Sequence, residues 1–309
     1  MTPFPFLLSA DFARAAIRVT TPLVGASLGE VMVERSGFVN IGVEGLLLLG
    51  AFFGVVGSWW THCVWGGVLL ALAVGAVGGL LLTWISIFLG VNQVVAGAAL
   101  NLAAAGLTTF LNREIFGQNP PAVPGFEAWP VPLLDRIPIV GPILFDQIPL
   151  VYLVYLLAPL GGLILFRTNW GLRLRAVGEK PRAAASAGVR VRRYRMVALV
   201  IGGMLASLGG TYYSLGTVRF FTENMTSGNG FIALAVVIVA RWNPYWLIPV
   251  SLLFGGAGAL ALRAQAFHVG IPFEFLFMLP YLLTMLIYGG VIGPARPPAS
   301  LGTDEAAGD

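Results

Sequence analysis

Charge is what this chain most lacks. Of its 309 residues only 10% are Asp, Glu, Lys or Arg, 57% are hydrophobic, and mean hydropathy is +0.85. A soluble domain carries about 25% charged residues. With so few, a globule of this size could not cover its surface, so lipid is the solvent that fits. Cysteine is limited to Cys63, which excludes an internal disulfide. The histidines are His62 and His268, with no H-E-x-x-H pattern and no Cys/His cluster, so no metal site is expected. The single lysine, Lys180, is followed by Pro181, so a G-x-x-x-x-G-K-[ST] phosphate loop is missing. If ATP drives this protein, another chain binds it, and no cofactor is expected on this one. These absences argue against an enzyme. The basic excess, 18 against 14, is gathered in one loop rather than spread over a surface, so nucleic acid is not an expected partner. Residues 1–10 hold no basic residue and only a short apolar run, and do not read as a cleaved signal peptide.

What the chain has in abundance is apolar length. A spanning helix needs roughly 20 mostly apolar residues. Candidates fall at 12–33, 41–60, 64–89, 91–112, 148–166, 197–216, 229–242, 245–267 and 274–293. The expected fold is an all-α integral membrane protein, a polytopic bundle of about 8–10 transmembrane helices. The first candidate carries Asp11, Arg14, Arg18 and Pro22 near its start, which fits an interfacial segment as readily as a span. The seventh is short enough for a half-helix or a re-entrant one. Glycines and serines recur at helix-packing spacing, at Gly50/Gly54, Gly75/Gly79 and Gly203/Ser207, so the helices are built to approach closely.

Two loops orient the bundle. Residues 167–195 hold nine of the 18 basic residues (Arg167, Arg173, Arg175, Lys180, Arg182, Arg190, Arg192, Arg193, Arg195) against one acid, Glu179. Residues 113–147 hold two basic residues, four acids and seven prolines. The positive-inside rule puts the first loop in the cytoplasm and the second outside. The intervening span 148–166 makes the two assignments agree, and counting onward makes the tail at 294–309 and the turn at 34–40 cytoplasmic.

Few motifs carry chemistry. Gly25-Ala26-Ser27-Leu28-Gly29 matches G-x-S-x-G, but a nucleophile elbow needs a strand, a sharp turn and a histidine partner. Here the pattern lies inside an apolar helical run. In the basic loop, residues 181–188 read as a brief helix, with Pro181 first, Ala183 and Ala184 within it, and Gly188 as its stop. Such a short helix is marginal alone in water and persists by docking. It reads either as a surface helix obeying the charge rule or as a coupling helix seated in a groove of a cytoplasmic partner. Intramembrane polar residues are expensive and point into a bundle or a water-filled path. Asn40 and Glu44, four apart, are expected to share a helix face; Asn92, Gln93 and Asn101 fall in the fourth span. All five are candidates for a translocation path. Glu44 fits headgroup contact too, and Asn101 fits a bond to a neighbouring helix. A faint echo, Gly37-Phe38-Val39 against Gly230-Phe231-Ile232, precedes two runs that cross in opposite directions, as inverted repeats would.

Several stretches together resemble the permease subunits of ABC importers of the simple-sugar and nucleoside type, which are similar to branched-chain amino-acid permeases. They are Glu34-Arg-Ser-Gly-Phe-Val-Asn-Ile-Gly-Val-Glu-Gly45, Asn92-Gln-Val-Val-Ala-Gly-Ala-Ala-Leu-Asn101, the loop from Gly171 to Gly188, Gly228-Asn-Gly-Phe-Ile-Ala-Leu-Ala235 and Pro280-Tyr-Leu-Leu283. The resemblance covers about residues 20–290, and its nearest flavour is the shorter permease of nucleoside importers. It implies one transmembrane permease domain over 1–293, working by alternating access in a bacterial inner membrane. It also implies two ABC ATPase subunits that hold the ATP and Mg, a second permease chain in a heterodimer, and an extracellular substrate-binding lipoprotein. Glu179, Pro181, Arg182, Ala183, Ala184 and Gly188 then correspond to the ATPase-coupling segment. The rival is a stand-alone secondary transporter or channel, which would need paired intramembrane carboxylates. Glu44 is the acid clearly within a span, with Glu30 and Glu274 nearer span ends.

Overall fold

The computed structural model of the chain describes residues 10–117, 120–138, 140–266 and 296–303, together with 278, 282 and 285. Within them the long helices are α1 (Ala10–Glu34), α2 (Val43–Thr61), α3 (Val64–Thr83), α4 (Gln93–Phe116), α6 (Pro149–Arg167), α9 (Val191–Tyr213) and α11 (Pro244–Ala266). Shorter helices are α5 (Val140–Leu144), α7 (Asn169–Glu179), α8 (Pro181–Ser186) and α10 (Asn229–Val239). One turn of π-helix extends α3 (Trp84–Phe88) and another extends α9 (Ser214–Val218). Among the described residues, seven helices are long and apolar enough to cross a membrane, and α10 is the short apolar one. Eight of the nine expected segments therefore lie on described helices, with α10 as the half-length one. The ninth, 274–293, falls outside the described residues apart from three isolated positions.

The first helix is not interfacial. Of its span 89% is buried, the highest share of the seven, against 28% for α4 at the periphery. Its charges are accommodated by the proline-rich loop. Arg14 pairs with Asp146 and donates from Nε to the Pro142 carbonyl at 2.8 Å, and Arg18 Nε donates to Gln147 Oε1 at 3.2 Å. That loop folds back as α5 and a two-residue antiparallel pairing of β1 (Trp129–Pro130) with β2 (Asp146–Gln147). α4 runs to Phe116, so the loop starts later than the expected residue 113.

Small residues draw α1, α2 and α3 onto α9. A Cβ on Gly50 would lie 2.1 Å from the Ser207 carbonyl oxygen, and one on Gly75 would lie 2.3 Å from that of Gly203. Gly29 and Gly202 bring α1 nearly as close, with a Cβ on Gly29 lying 2.7 Å from the Gly202 carbonyl oxygen. The G-x-S-x-G stretch is part of this packing: Ser27 is buried and donates to the Ala233 carbonyl at 3.2 Å. Its hydroxyl is a helix-to-helix tie. Gly209 and Gly202 meet Gly25 and Gly29 in reverse order, so α1 and α9 are antiparallel.

Candidate functional site

Between α1 and α2 the chain re-enters the bundle without helix. Ser36 accepts Arg195 Nε at 3.2 Å, Gly37 turns with φ +86°, and residues 38–42 run inward before α2 begins at Val43. Backbone left out of a helix inside a membrane must find partners in the protein. Here side chains supply them. Gln93 Oε1 accepts the Val39 N–H at 2.8 Å. The Glu30 carboxylate accepts the N–H of Asn40 at 3.3 Å and its Nδ2 at 3.1 Å, and Asn40 Oδ1 accepts the Gly42 N–H at 3.0 Å. Asn101 donates to the Ile41 carbonyl at 2.9 Å and accepts the Gly45 N–H at 2.7 Å, satisfying one of the free donors at the start of α2. Gly97 on α4 makes this approach possible, since a Cβ there would sit 2.7 Å from Gly42 N.

A second break mirrors the first. Residues 219–228 are irregular, and α10 begins after Gly228, whose φ is +82° and which offers no side-chain cap. Glu44, on the first turn of α2, supplies it. Its carboxylate accepts Thr226 Oγ1 at 2.6 Å, the Gly228 N–H at 2.8 Å and the Gly230 N–H at 2.6 Å. An anion at a helix N-terminus satisfies orphan donors and complements the helix dipole. The two helices then diverge. α2 runs toward Thr61, while α10 runs to the basic end, where Trp242 Nε1 donates to Glu34. The meeting point is deep. Ser207, which donates to the Leu46 carbonyl at 2.9 Å, lies sixteen residues beyond Val191, roughly 24 Å along α9. The full-length α2 and the half-length α10 thus present their N-termini to each other beside the middle of α9.

Beside this junction, on its proline-rich side, lies a cavity of about 760 Å³. Its polar lining comes from Arg18, Tyr212, Tyr213, Thr217, Ser227 and Asn229, and its apolar lining includes Ile148, Ile232 and Phe254. Asn229 is oriented by its own Nδ2, which donates to the Thr226 carbonyl at 2.7 Å. Two tyrosines with a few hydroxyl and amide groups around an otherwise apolar cavity suit a small polar compound with an apolar face.

At the basic end, α7 and α8 fill the expected coupling loop. α8 has Pro181 at its first position, and the chain turns out of it at Gly188 with φ +81°. Ala184 is buried with Val177 and Val191, against Ala185, Val189 and Tyr194. The C-terminal stretch packs here too. Ser300 N donates to the Gly178 carbonyl at 2.9 Å, Ala299 N to Glu179 Oε2 at 3.3 Å and Gly302 N to the Gly37 carbonyl at 3.3 Å. Residues 299–303 thereby tie the loop to the turn at Gly37. Burial lowers the pKa of Arg35 in that turn, an effect opposed by the nearby Glu179 carboxylate and reinforced by Arg175.

Several expected residues take other positions than the spacing suggests. Asn40 and Glu44 do not share a helix face, because α2 starts between them and Asn40 belongs to the extended stretch. Asn92 is exposed and caps α4 by accepting the N–H groups of Val94 and Val95, at 3.0 and 3.4 Å. Gln93, Asn101, Asn40 and Glu44 are all turned onto backbone groups of the two breaks. Glu44 is buried inside the bundle. Of the six residues expected in the coupling segment, Pro181 and Ala184 face the chain's own core, while Glu179, Arg182, Ala183 and Gly188 are exposed. Glu30, expected near a span end, is buried one helical turn from the buried Glu34. Tyr212, Tyr213, Ser227 and Asn229 were not singled out as site residues. The signal for the last was the Gly228-Asn229-Gly230 stretch, whose asparagine sits between two glycines at a helix break.

Comparison with known proteins agrees with this architecture. The family described as branched-chain amino acid transport system / permease component matches residues 13–292. The chain is 35% identical over 299 residues to the guanosine ABC transporter permease protein NupQ of Bacillus subtilis, covering 93% of this chain and 94% of the relative. It is 35% identical over 295 residues to the nucleoside ABC transporter permease protein NupC of Lactococcus lactis, covering 92% and 93%. Identity is also 35% over 267 residues with a putative glucose ABC transporter permease protein, TsgC13, of Haloferax volcanii, covering 85% and 80%. No solved structure matches significantly. With a family match over almost the whole chain and relatives of this identity, this multi-pass membrane protein belongs to the permease-component family of branched-chain amino acid transport systems.

Proposed function

We propose that the cargo of this ABC-importer permease is a nucleoside, passed through the 760 Å³ cavity beside the α2–α10 junction. The observation that carries this reading is the pairing of Tyr212 and Tyr213 with Asn229, Ser227 and Thr217 around one cavity. Aromatic faces accommodate a base, and the hydroxyls and amide accommodate ribose. Two relatives named for guanosine or nucleoside transport support it. A simple sugar is the second cargo class, favoured by the relative named for glucose.

In this reading the protein sits in a bacterial inner membrane with the basic loop in the cytoplasm. The chain is not itself an enzyme. ATP and Mg are held by ABC ATPase partners, a second permease chain completes the pore, and an extracellular lipoprotein delivers cargo. Closure of the ATPases pushes on the exposed side of α8. The movement passes through Gly178, Ser300 and Gly37 to the stretch 38–42 and so to the junction at Glu44. Alternating access is a change in how α2 and α10 meet.

A stand-alone secondary transporter draws support from one observation, the buried carboxylates of Glu30 and Glu34 one turn apart. Both are engaged, by Asn40 and by Trp242 respectively. Uptake of labelled guanosine and glucose by cells expressing the whole operon decides among these readings. Guanosine uptake that survives a protonophore but stops on ATP depletion, with Asn229→Ala raising KM about tenfold, fits the loss of one or two hydrogen bonds to cargo. Glucose uptake alone would reassign the cargo, and uptake abolished by the protonophore with ATP intact would favour the secondary transporter.

A further inference from the structure

Where α9 begins at the basic end, a second pocket, of about 320 Å³, is lined by Trp170, Arg173, Arg190, Arg193 and Tyr194, and reaches Val197. Three arginines line this small volume. Among the described residues, the ion pairs are Arg14–Asp146 and Arg113–Glu223, so neither involves these three, and all three are exposed. Arg175 of the same loop differs. It donates to the Leu165 carbonyl at 3.1 Å and lies over the Phe166 ring at 5.2 Å. The loop's arginines thus divide into some used to hold the fold and a trio gathered around a pocket.

The surroundings of this pocket have the chemistry of a lipid headgroup region. Trp170 and Tyr194 stack at 6.3 Å between centroids and 28° between planes. Leu163 and Ile164, near the end of α6, are exposed, as is Leu172 at 57%, beside Arg173. Val197 is already the seventh residue of an apolar spanning helix. Exposed aliphatics, then an aromatic pair, then arginines is the layering of a membrane headgroup region. A pocket for an acidic peptide would have no need of the apolar depth at Val197 or of the exposed Leu172.

We propose that this pocket binds the phosphodiester headgroup of an anionic phospholipid in the leaflet on the basic side of the bundle. Arginine presents a planar fork that matches phosphate oxygens, and three of them balance one phosphate with charge to spare for the surface field. α9 starts at Val191 without a side-chain cap, so its first N–H groups and dipole add to the same field. Trp170 and Tyr194 cover the glycerol side of the headgroup. The bound lipid offsets one of the trio's three positive charges next to α8 and ties the loop to the membrane.

The test uses the full-length chain purified with its partner subunits, in phosphatidylcholine nanodiscs carrying brominated phosphatidylglycerol or, at equal fraction, brominated phosphatidylcholine. Subtracting the Trp170→Phe complex isolates the Trp170 signal. The expected result is stronger quenching of Trp170 by the anionic lipid. With R173Q/R190Q/R193Q, its apparent affinity should fall on the order of 100-fold while the ATPase still copurifies. Equal quenching by the two lipids in the wild-type complex overturns the proposal, and this arm decides even if the triple variant fails to fold. Retained anionic quenching in a triple variant that loses its ATPase also overturns it, making the pocket a protein-docking surface. Displacement by millimolar inorganic phosphate overturns it in favour of a soluble anion.

Discussion

The Glu44 carboxylate accepts the backbone N–H of Gly230 at 2.6 Å, joining residues 186 positions apart and binding the first turn of α2 to the first turn of α10. No side chain fits at Gly230, where a Cβ would meet the Glu44 backbone at 2.6 Å. The junction is therefore both a hydrogen-bonded cap and a close backbone approach.

Glu44→Gln tests that cap. Three donors converge on a carboxylate that the amide replaces with one good acceptor and an NH2 facing N–H groups. A loss of about 1–3 kcal/mol is expected for the unsatisfied donors. Purified variant should melt several degrees lower while still copurifying with its partners, and uptake should fall by more than half. An unchanged melting temperature together with normal uptake would show that the cap is dispensable.

Asn101→Leu removes the clamp on the other side of the break at similar volume. It strands the Gly45 N–H and the Ile41 carbonyl, both partly buried against α4. The cost is about 1–3 kcal/mol per group. The amount of folded protein recovered in mild detergent, measured by size-exclusion profile, should drop sharply. Asn92→Ala serves as the comparison: an exposed cap typically contributes about 1 kcal/mol, so that variant should remain well behaved.

Orientation is checked by labelling. Ser186 and Ala122 are both exposed, on the basic and proline-rich loops respectively. In a Cys63→Ser background, a cysteine replacing Ala122 should react with a membrane-impermeant thiol reagent on intact cells. One replacing Ser186 should react only after the membrane is opened. Reversed labelling would invert the topology and with it the coupling assignment.

Coupling separates by face of α8. Ala183 is exposed and Ala184 is packed against Val177 and Val191. Ala183→Glu should leave the bundle's melting temperature unchanged yet abolish ATPase copurification, because burying an unpaired carboxylate in a docking groove costs several kcal/mol. Ala184→Glu should instead dislodge α8 itself, seen as rapid proteolysis within the basic loop. Full ATPase retention in Ala183→Glu would show that this face docks nothing.

Much of the architecture is legible along the chain because it depends on local composition. Scarce charge dictates lipid as solvent, apolar length sets the spans, arginines collect in one loop and prolines in another, and Pro181 with Gly188 bounds α8. Arg14 and Arg18 make the first span doubtful until the loop that receives them, about 130 positions away, is in place. The breaks are harder to see. Residues 37–42, Gly-Phe-Val-Asn-Ile-Gly, are nearly as apolar as the helix they lead into, so hydropathy starts the span at 41, ahead of the helix at Val43, and reads the residues before it as a plain turn. Helical spacing then wrongly places Asn40 beside Glu44. Only the tertiary structure decides that Glu44, Asn40 and Asn101 serve backbone groups, that Ala184 turns inward, and that Tyr213 and Asn229 face one cavity. Backbone freed from a helix inside lipid must bond to whatever the fold brings near, and that partner lies far along the chain.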